Sequence, residues 1–243
     1  MTDNGYGEAI INPGKQASVR VAGKKYLRLG IKTHVITEAD RLEEVCLHYA
    51  RPLLRPGDIL FITEKAAACT QGRAYPLGEI QARPLARLLC RFVTKTPHGI
   101  GLGIPETMEM ALRECGTART LLAACISALG KLFGRKGWFY LVAGPGARAI
   151  DGPCDCTLPP YNRCVVLGPD KPDALASAVA RAVGAPVAIT DINDLGGEIL
   201  GLSPASVGAP AASLDRALLR EILADNPLGQ SREQTPLGII RPC

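Results

Sequence analysis

Apolar residues at Leu42, Val45, Cys46 and Tyr49 recur at i, i+3, i+4 and i+7. That spacing is one face of a helix and predicts one over Ala39–Leu54, with Thr37 and Asp40 placed as a shortened capping box. Pro56-Gly57 breaks the pattern, and Asp58–Thr63 is a short apolar run of buried-strand type, as Tyr26–Thr37 is by its Val, Ile and Thr. Helices are expected over Glu79–Phe92, over Pro105–Cys115 with proline at the first position, and over Leu121–Phe133, stopped by Gly134. Trp138–Ala143 has strand composition. Residues 164–168, 170–183 and 186–190 read as strand, helix and strand, with Leu175, Ala178, Val179, Ala182 and Val183 as the helix's apolar face and Gly184 as its end. This order predicts a βαβ unit with two parallel strands and a right-handed crossover. A helix over Ser213–Ala224 and a strand over Gly238–Arg241 close the chain, while Gly201–Ala212 has loop composition. The expected class is α/β or α+β with mixed sheets: one domain over residues 21–243 after a loose lead-in of residues 1–20 rich in Gly, Asn and Pro.

Composition narrows the function more than the fold. Hydrophobic residues make 47% and charged residues 21% of 243, an ordinary globular balance that argues against disorder. The net charge of +5 comes from scattered Lys and Arg with only 5% aromatics, so no nucleic-acid face is expected. A mild positive excess suits an anionic small ligand. No apolar run is long enough to span a membrane, and Met1–Pro13 lacks the apolar core of a signal peptide. Nine cysteines are an odd count, and Cys46, Cys90, Cys115 and Cys125 sit on helical segments as small hydrophobes. Reduced thiols in the cytoplasm are therefore expected. Cys154, Cys156 and Cys164 also raise a soft-metal thiolate site, although no fourth ligand is evident.

Candidate chemistry concentrates where apolar runs end. Asp191 and Asp194 lie past the carboxyl end of a predicted parallel strand, where open α/β sheets place their ligands, and Gly196-Gly197 beside them allows close backbone approach. The alternative is a capped turn with a solvated acid. Asp151 within Ile150-Asp151-Gly152 is a turn signal as well as a candidate ligand. Gly99, Gly101 and Gly103 run into the helix at Pro105 and suit either a phosphate or a tight turn. His98 is a candidate general base or a surface residue, and Lys65 and Arg73 are phosphate ligands or solvated charges.

Three segments, in order and spacing, resemble the γ-glutamyl ligase family of coenzyme F-420 biosynthesis. They are Pro56-Gly57-Asp58 through Lys65 with Gln71-Gly72-Arg73, Ala149-Ile150-Asp151-Gly152 leading to Val165–Asp173, and Val187-Ala188-Ile189-Thr190-Asp191. Further stretches, Lys95–Gly103, Leu158-Pro159-Pro160-Tyr161-Asn162 and Asp225-Asn226-Pro227-Leu228-Gly229-Gln230, are similar to bacterial γ-glutamyl ligase-like proteins. The resemblance implies a cytoplasmic ligase that forms an amide bond to L-glutamate through an acyl phosphate. It implies GTP or ATP as co-substrate, Mg²⁺ or Mn²⁺, a deazaflavin-like or pterin-like carboxylate acceptor, and a homodimer. In that scheme His98 is catalytic, Lys65, Arg73, Gly99, Gly101, Gly103 and Gly196 contact nucleotide, and Asp191, Asp151 and Asp194 hold metal.

The chain departs from the family where Ile192-Asn193-Asp194-Leu195 replaces a Gly-Arg and Trp-Arg stretch and Pro153-Cys154 replaces Ser-Asn, and a later Asp-Glu pair has no counterpart. Folate glutamylation and a non-catalytic nucleotide- or metal-binding module stand as alternatives.

Overall fold

The computed structural model describes residues 6–93, 100–135, 137–194, 196–204 and 215–243. Along the chain the strands are β1 (Ala9–Ile10), β2 (Ser18–Val21), β3 (Lys24–Ile31), β4 (Ile59–Thr63), β5 (Ala74–Pro76), β6 (Cys164–Val166), β7 (Val187–Asn193), β8 (Gly196–Leu202) and β9 (Leu237–Pro242). The helices are α1 (Leu42–Tyr49), α2 (Glu64–Thr70), α3 (Pro84–Leu89), α4 (Pro105–Glu114), α5 (Thr117–Leu132), α6 (Trp138–Ala143), α7 (Pro145–Arg148), α8 (Pro172–Val183) and α9 (Arg216–Ile222). The chain forms two compact units, one of residues up to Gly72 with those from Pro169 onward, the other of Arg73–Gly168.

The first unit is built on a mixed sheet ordered β1-β3-β9-β4-β7-β8, with β2 also on β3. Strand β9 runs antiparallel to both β3 and β4, and β4 runs parallel to β7. Side chains alternate across β4: Leu60 and Ile62 join one apolar cluster with α1, α2 and α8, while Ile59 and Phe61 join another with α9. Gly238 of β9 pairs with Phe61, whose ring fills the space a β-carbon at 238 would need. Arg241 of β9 grips the buried Asp58 through two hydrogen bonds of 2.9 and 2.7 Å, and Asp58 also accepts from the Arg55 amide. Arg28 of β3 is fully buried; it donates to the Ile222 and Gln16 carbonyls and forks onto both Asp225 oxygens. A buried guanidinium is tolerable only with such partners.

The second unit packs α3, α4 and their neighbours on the two-stranded antiparallel sheet of β5 and β6. The one buried acid among its described residues, Glu109 of α4, accepts from Arg83 and Arg113. Burial pushes this carboxyl up, but Arg83's hydrogen bonds and charge, with Arg113's bond, outweigh it and hold it below the usual range.

The mixed α/β class holds, with departures of detail. Cys164–Val166, the helix and Val187–Asn193 follow in the expected order, but their strands belong to different sheets. Strand β6 is flanked by β5 on one side and by an isolated bridge to Asp151 on the other, so no side is open to β7, whose parallel neighbour is β4. Trp138–Ala143 is a helix and not a strand, bounded by Gly137 in the left-handed region and Gly144 at φ 92°. It packs on α5, where Trp138 lies over Gly130 so closely that a β-carbon would sit 2.9 Å from the indole. Packing here overrides aromatic β-preference. Within Glu79–Phe92 the α-helix covers only Pro84–Leu89, because proline starts it and bars α-conformation before it. Strands β1 and most of β2 lie within the first 20 residues and pair with β3.

Two substitutions test this packing. Gly238→Ala is expected to destabilise the protein by about 1–3 kcal/mol by overpacking against Phe61. Asp58→Ala is expected to cost about 3–5 kcal/mol by leaving Arg241 without its buried partner. Denaturant unfolding measures both.

Candidate functional site

Ile31, Leu237, Ile62 and Ile189 stand in one row across β3, β9, β4 and β7. Because β9 is antiparallel to both its neighbours, β3, β4 and β7 point the same way, and their carboxyl ends meet on one edge of the sheet. Past that row come Thr33 and His34 after β3, Glu64 and Lys65 in the first turn of α2, and Thr190 and Asp191 on β7. This is the edge at which open α/β sheets receive ligands. Asp191 is half-buried, stands opposite Glu198 of β8, and follows Thr190, the partner of Thr63. Lys65 is half-buried on α2, which packs against β7.

Asp194 occupies the turn between β7 and β8, where Asn193 pairs with Gly196. Its oxygens accept from Lys15 Nζ at 2.9 Å, Asn226 Nδ2 at 3.2 Å and Gln230 Nε2 at 2.6 Å. The Lys15 bond and charge, helped by Asn226 and Gln230, outweigh partial burial and hold its carboxyl below the ordinary range. Asn226 takes φ 54° and also donates to the Gly229 carbonyl, while the buried Asn12 reaches the Pro227 and Leu228 carbonyls. Asp194 and the Asp225–Gln230 segment thus fasten one another. At Gly197 the hairpin passes so close that a β-carbon would overlap the Asp191 carbonyl, and Gly196 has φ 128°. The close approach Gly197 permits is to the chain's own β7, and Gly196 answers only to its backbone angle.

The second unit holds the remaining candidates. Asp151 is exposed, with its backbone N–H and C=O both bonded to Val166. Arg73 donates to the Gly168 carbonyl and to Glu114, each at 2.5 Å. Gly101 has φ 50°, and the Gly103 amide closes a turn onto the Ile100 carbonyl at 3.0 Å just before α4. A β-carbon at Gly103 would sit 2.9 Å from that oxygen, which accounts for glycine there as a tight turn. His98 and Gly99 lie outside the described residues.

Two features escape a reading of the sequence. His34 meets Tyr49 Oη through Nδ1 at 2.9 Å and Asp40 through Nε2 at 3.1 Å. Burial raises the Asp40 carboxyl, but hydrogen bonds from Thr37 and His34 outweigh that and hold it low. Only the Thr37–Asp40 spacing hinted at this cluster. Cys154 and Cys156 form a disulfide, which corrects the expectation that every cysteine is reduced and removes both thiolates from a soft-metal site in this state; the other seven cysteines are in no disulfide. Among the described residues no group of three or more His, Cys, Asp or Glu side chains is gathered to hold a metal alone. An open cleft of about 310 Å³, lined by Glu198, Ile199, Arg216, Ala217 and Arg220, contains none of the candidate residues, although Glu198 is the cross-strand partner of Asp191.

The fastening role of Asp194 has a pH signature. Its carboxyl is depressed on folding, so its contribution is full above the ordinary value of 3.8 and is lost as pH falls through the lowered one. Asp194→Asn is therefore expected to lower stability near neutrality by at most about 1 kcal/mol, since the carboxylate is half exposed and screened. The gap from wild type should close in acid, as read by thermal unfolding across pH.

No helix among the described residues is long and apolar enough to cross a membrane. No curated protein matches the chain in sequence. A family profile described as F420-0:gamma-glutamyl ligase matches residues 30–192, from the last two residues of β3 through the whole of β4 to just past Asp191 on β7. With two-thirds of its length matched, and Asp191 inside the match, this chain belongs to the F420-0:gamma-glutamyl ligase family.

Proposed function

We propose that the chain joins L-glutamate to a deazaflavin-like or pterin-like carboxylate in an amide bond, driven by GTP or ATP. The observation that carries this reading is Asp191 at the common carboxyl edge of β3, β4 and β7, inside the family match. A carboxylate is a poor electrophile. Its oxygen attacks the γ-phosphorus, the nucleoside diphosphate departs, and an acyl phosphate forms. The glutamate amine then attacks the acyl carbon, inorganic phosphate leaves, and the amine's proton passes to a base.

In the first unit Asp191 offers a hard oxygen donor of the kind Mg²⁺ or Mn²⁺ takes, and in the second unit Asp151 separately offers another. Mg²⁺ is commonly bound by one or two carboxylates with water and substrate phosphates. When bound, such an ion neutralises charge on the transferring phosphoryl group. Lys65, beside β7, adds a positive charge at the same edge. Asp194 we assign a positioning role: it fixes the hairpin that carries Asp191. The acceptor is where the departures matter, since Pro153–Cys164 and the stretch after Asp191 differ from the family and loops set specificity on a kept scaffold.

We also assign a homodimer. In the second unit Leu122, Leu129 and Leu132 of α5, Phe133 after it, and Leu141 of α6 are all more than half exposed, a share of apolar surface that a second copy would cover.

Asp191→Asn keeps size and removes charge, so the folded variant is expected to lose at least tenfold in calorimetric affinity for Mg²⁺–nucleotide. Unchanged affinity ends the assignment. Phosphate release with glutamate should depend on which heteroaromatic acid is added, and the F-420 precursor and a reduced folate assayed side by side identify it. For the dimer, Leu132→Asp is expected to turn a dimer into a monomer in light scattering. A monomeric wild type refutes it.

A further inference from the structure

We propose that Cys154 and Cys156 are a reversible dithiol–disulfide couple that modulates ligand binding at Asp151. The proposal rests on the assignment of Asp151 just made.

The two sulfurs are bonded across a single residue, Asp155, and all three residues are exposed. Exposure lets a small thiolate approach either sulfur in line, the condition for exchange. Of the other cysteines, Cys46, Cys69, Cys90 and Cys164 are buried, and burial raises the Cys46 and Cys164 thiols away from the reactive thiolate, while Cys115 is half-buried and Cys125 and Cys243 are exposed but bonded to no second sulfur. Local contacts also allow the bond to open without unfolding. The Thr157 amide bonds the Cys154 carbonyl at 3.0 Å, and Thr157 is buried, so the turn is closed by its backbone as well as by sulfur.

The ring lies three residues past Asp151, and the two ends of that connection differ. Asp151 is fixed on β6 by its two backbone bonds to Val166, and Gly152 lies where a β-carbon would stand 3.3 Å from Thr107 and 3.4 Å from Ile100. Only the segment from Pro153 onward is left to respond to the state of the ring. Closing the ring orders that segment, three residues from Asp151 along the chain. Opening it frees the segment and replaces one disulfide by two thiols.

The exchange balances. A thiolate such as glutathione attacks one sulfur, the Cys154–Cys156 bond breaks, and a mixed disulfide forms. A second glutathione thiolate attacks the glutathione sulfur of that mixed disulfide and expels the cysteine thiolate. Two electrons and two protons pass from two glutathiones to the pair, and glutathione disulfide is released. Oxidation runs the same steps backward. Couples of this kind, where they occur in reducing compartments, are usually catalytic or sensing and seldom structural.

The test equilibrates the whole chain in glutathione buffers of stepped reduced-to-oxidised ratio, quenches by alkylation, and reads the peptide carrying Cys154 and Cys156 by mass. Calorimetry then measures Mg²⁺–GTP, and in parallel Mg²⁺–ATP, on the fully oxidised and fully reduced forms. We expect the peptide to convert reversibly between no alkyl groups and two within the buffer range. Nucleotide affinity should differ at least threefold between the forms, and the Cys154→Ser/Cys156→Ser double variant should show no redox effect. A pair fixed in one state at every ratio, or equal affinity in both forms, overturns the proposal. Asp151→Asn separates the two layers. Lost affinity there with no redox effect in wild type sinks the couple alone, whereas unchanged affinity there, or no nucleotide binding by wild type, removes the Asp151 assignment and the inference with it.

Discussion

Strand β9 holds the first unit together. It pairs with β3 on one side and β4 on the other, so its hydrogen bonds are what join the N-terminal meander to the parallel pair β4–β7. Leu237, Gly238, Ile239 and Ile240 are all buried, and each contact they make fixes register: Phe61 over Gly238, Arg28 opposite Ile240, and Arg241 onto Asp58. A one-residue slip would turn Ile239 and Ile240 to the wrong faces and part Arg241 from Asp58. The direction of β9 also has a functional consequence. Being antiparallel to both neighbours, it makes β3 and β4 point the same way, and with β7 they deliver His34, Lys65 and Asp191 to one edge.

Much of this was readable in the residues, and the limits are physical. The unbroken apolar run at Asp58–Thr63, the proline-started helix at 105 and the apolar stripe of 172–183 follow local periodicity, and they stand where it put them. Asp191 stands just past the residues of β7 that pair with β4, but β7 itself continues to Asn193, so the strand does not end where its apolar run does. The occupation of Asp194 was not legible, because its partners Lys15, Asn226 and Gln230 lie 179, 32 and 36 residues away. The helix at Trp138–Ala143 depends on a fit against Gly130 that composition cannot express, and the partner of β7 depends on which strands have a free side.

Several motifs that read as chemistry carry structure first. Asp58 of the Gly-Asp pair anchors β9, the Asp225–Gln230 segment clamps Arg28 and Asp194, and Arg73 is engaged by Glu114 and Gly168. A ligase needs such fastening, because its catalytic groups work only when held within narrow geometric limits. Asp191 and Lys65 are half-buried and Asp151 is exposed.

The central claim is that ligand binds at the carboxyl edge of β3, β4 and β7. Backbone amide hydrogen exchange of the wild-type chain, with and without Mg²⁺ and nucleotide, tests it most directly. The account predicts new protection at residues 33–36, 64–66 and 190–193. Unchanged exchange there, with protection appearing instead around Arg216–Arg220, would contradict it.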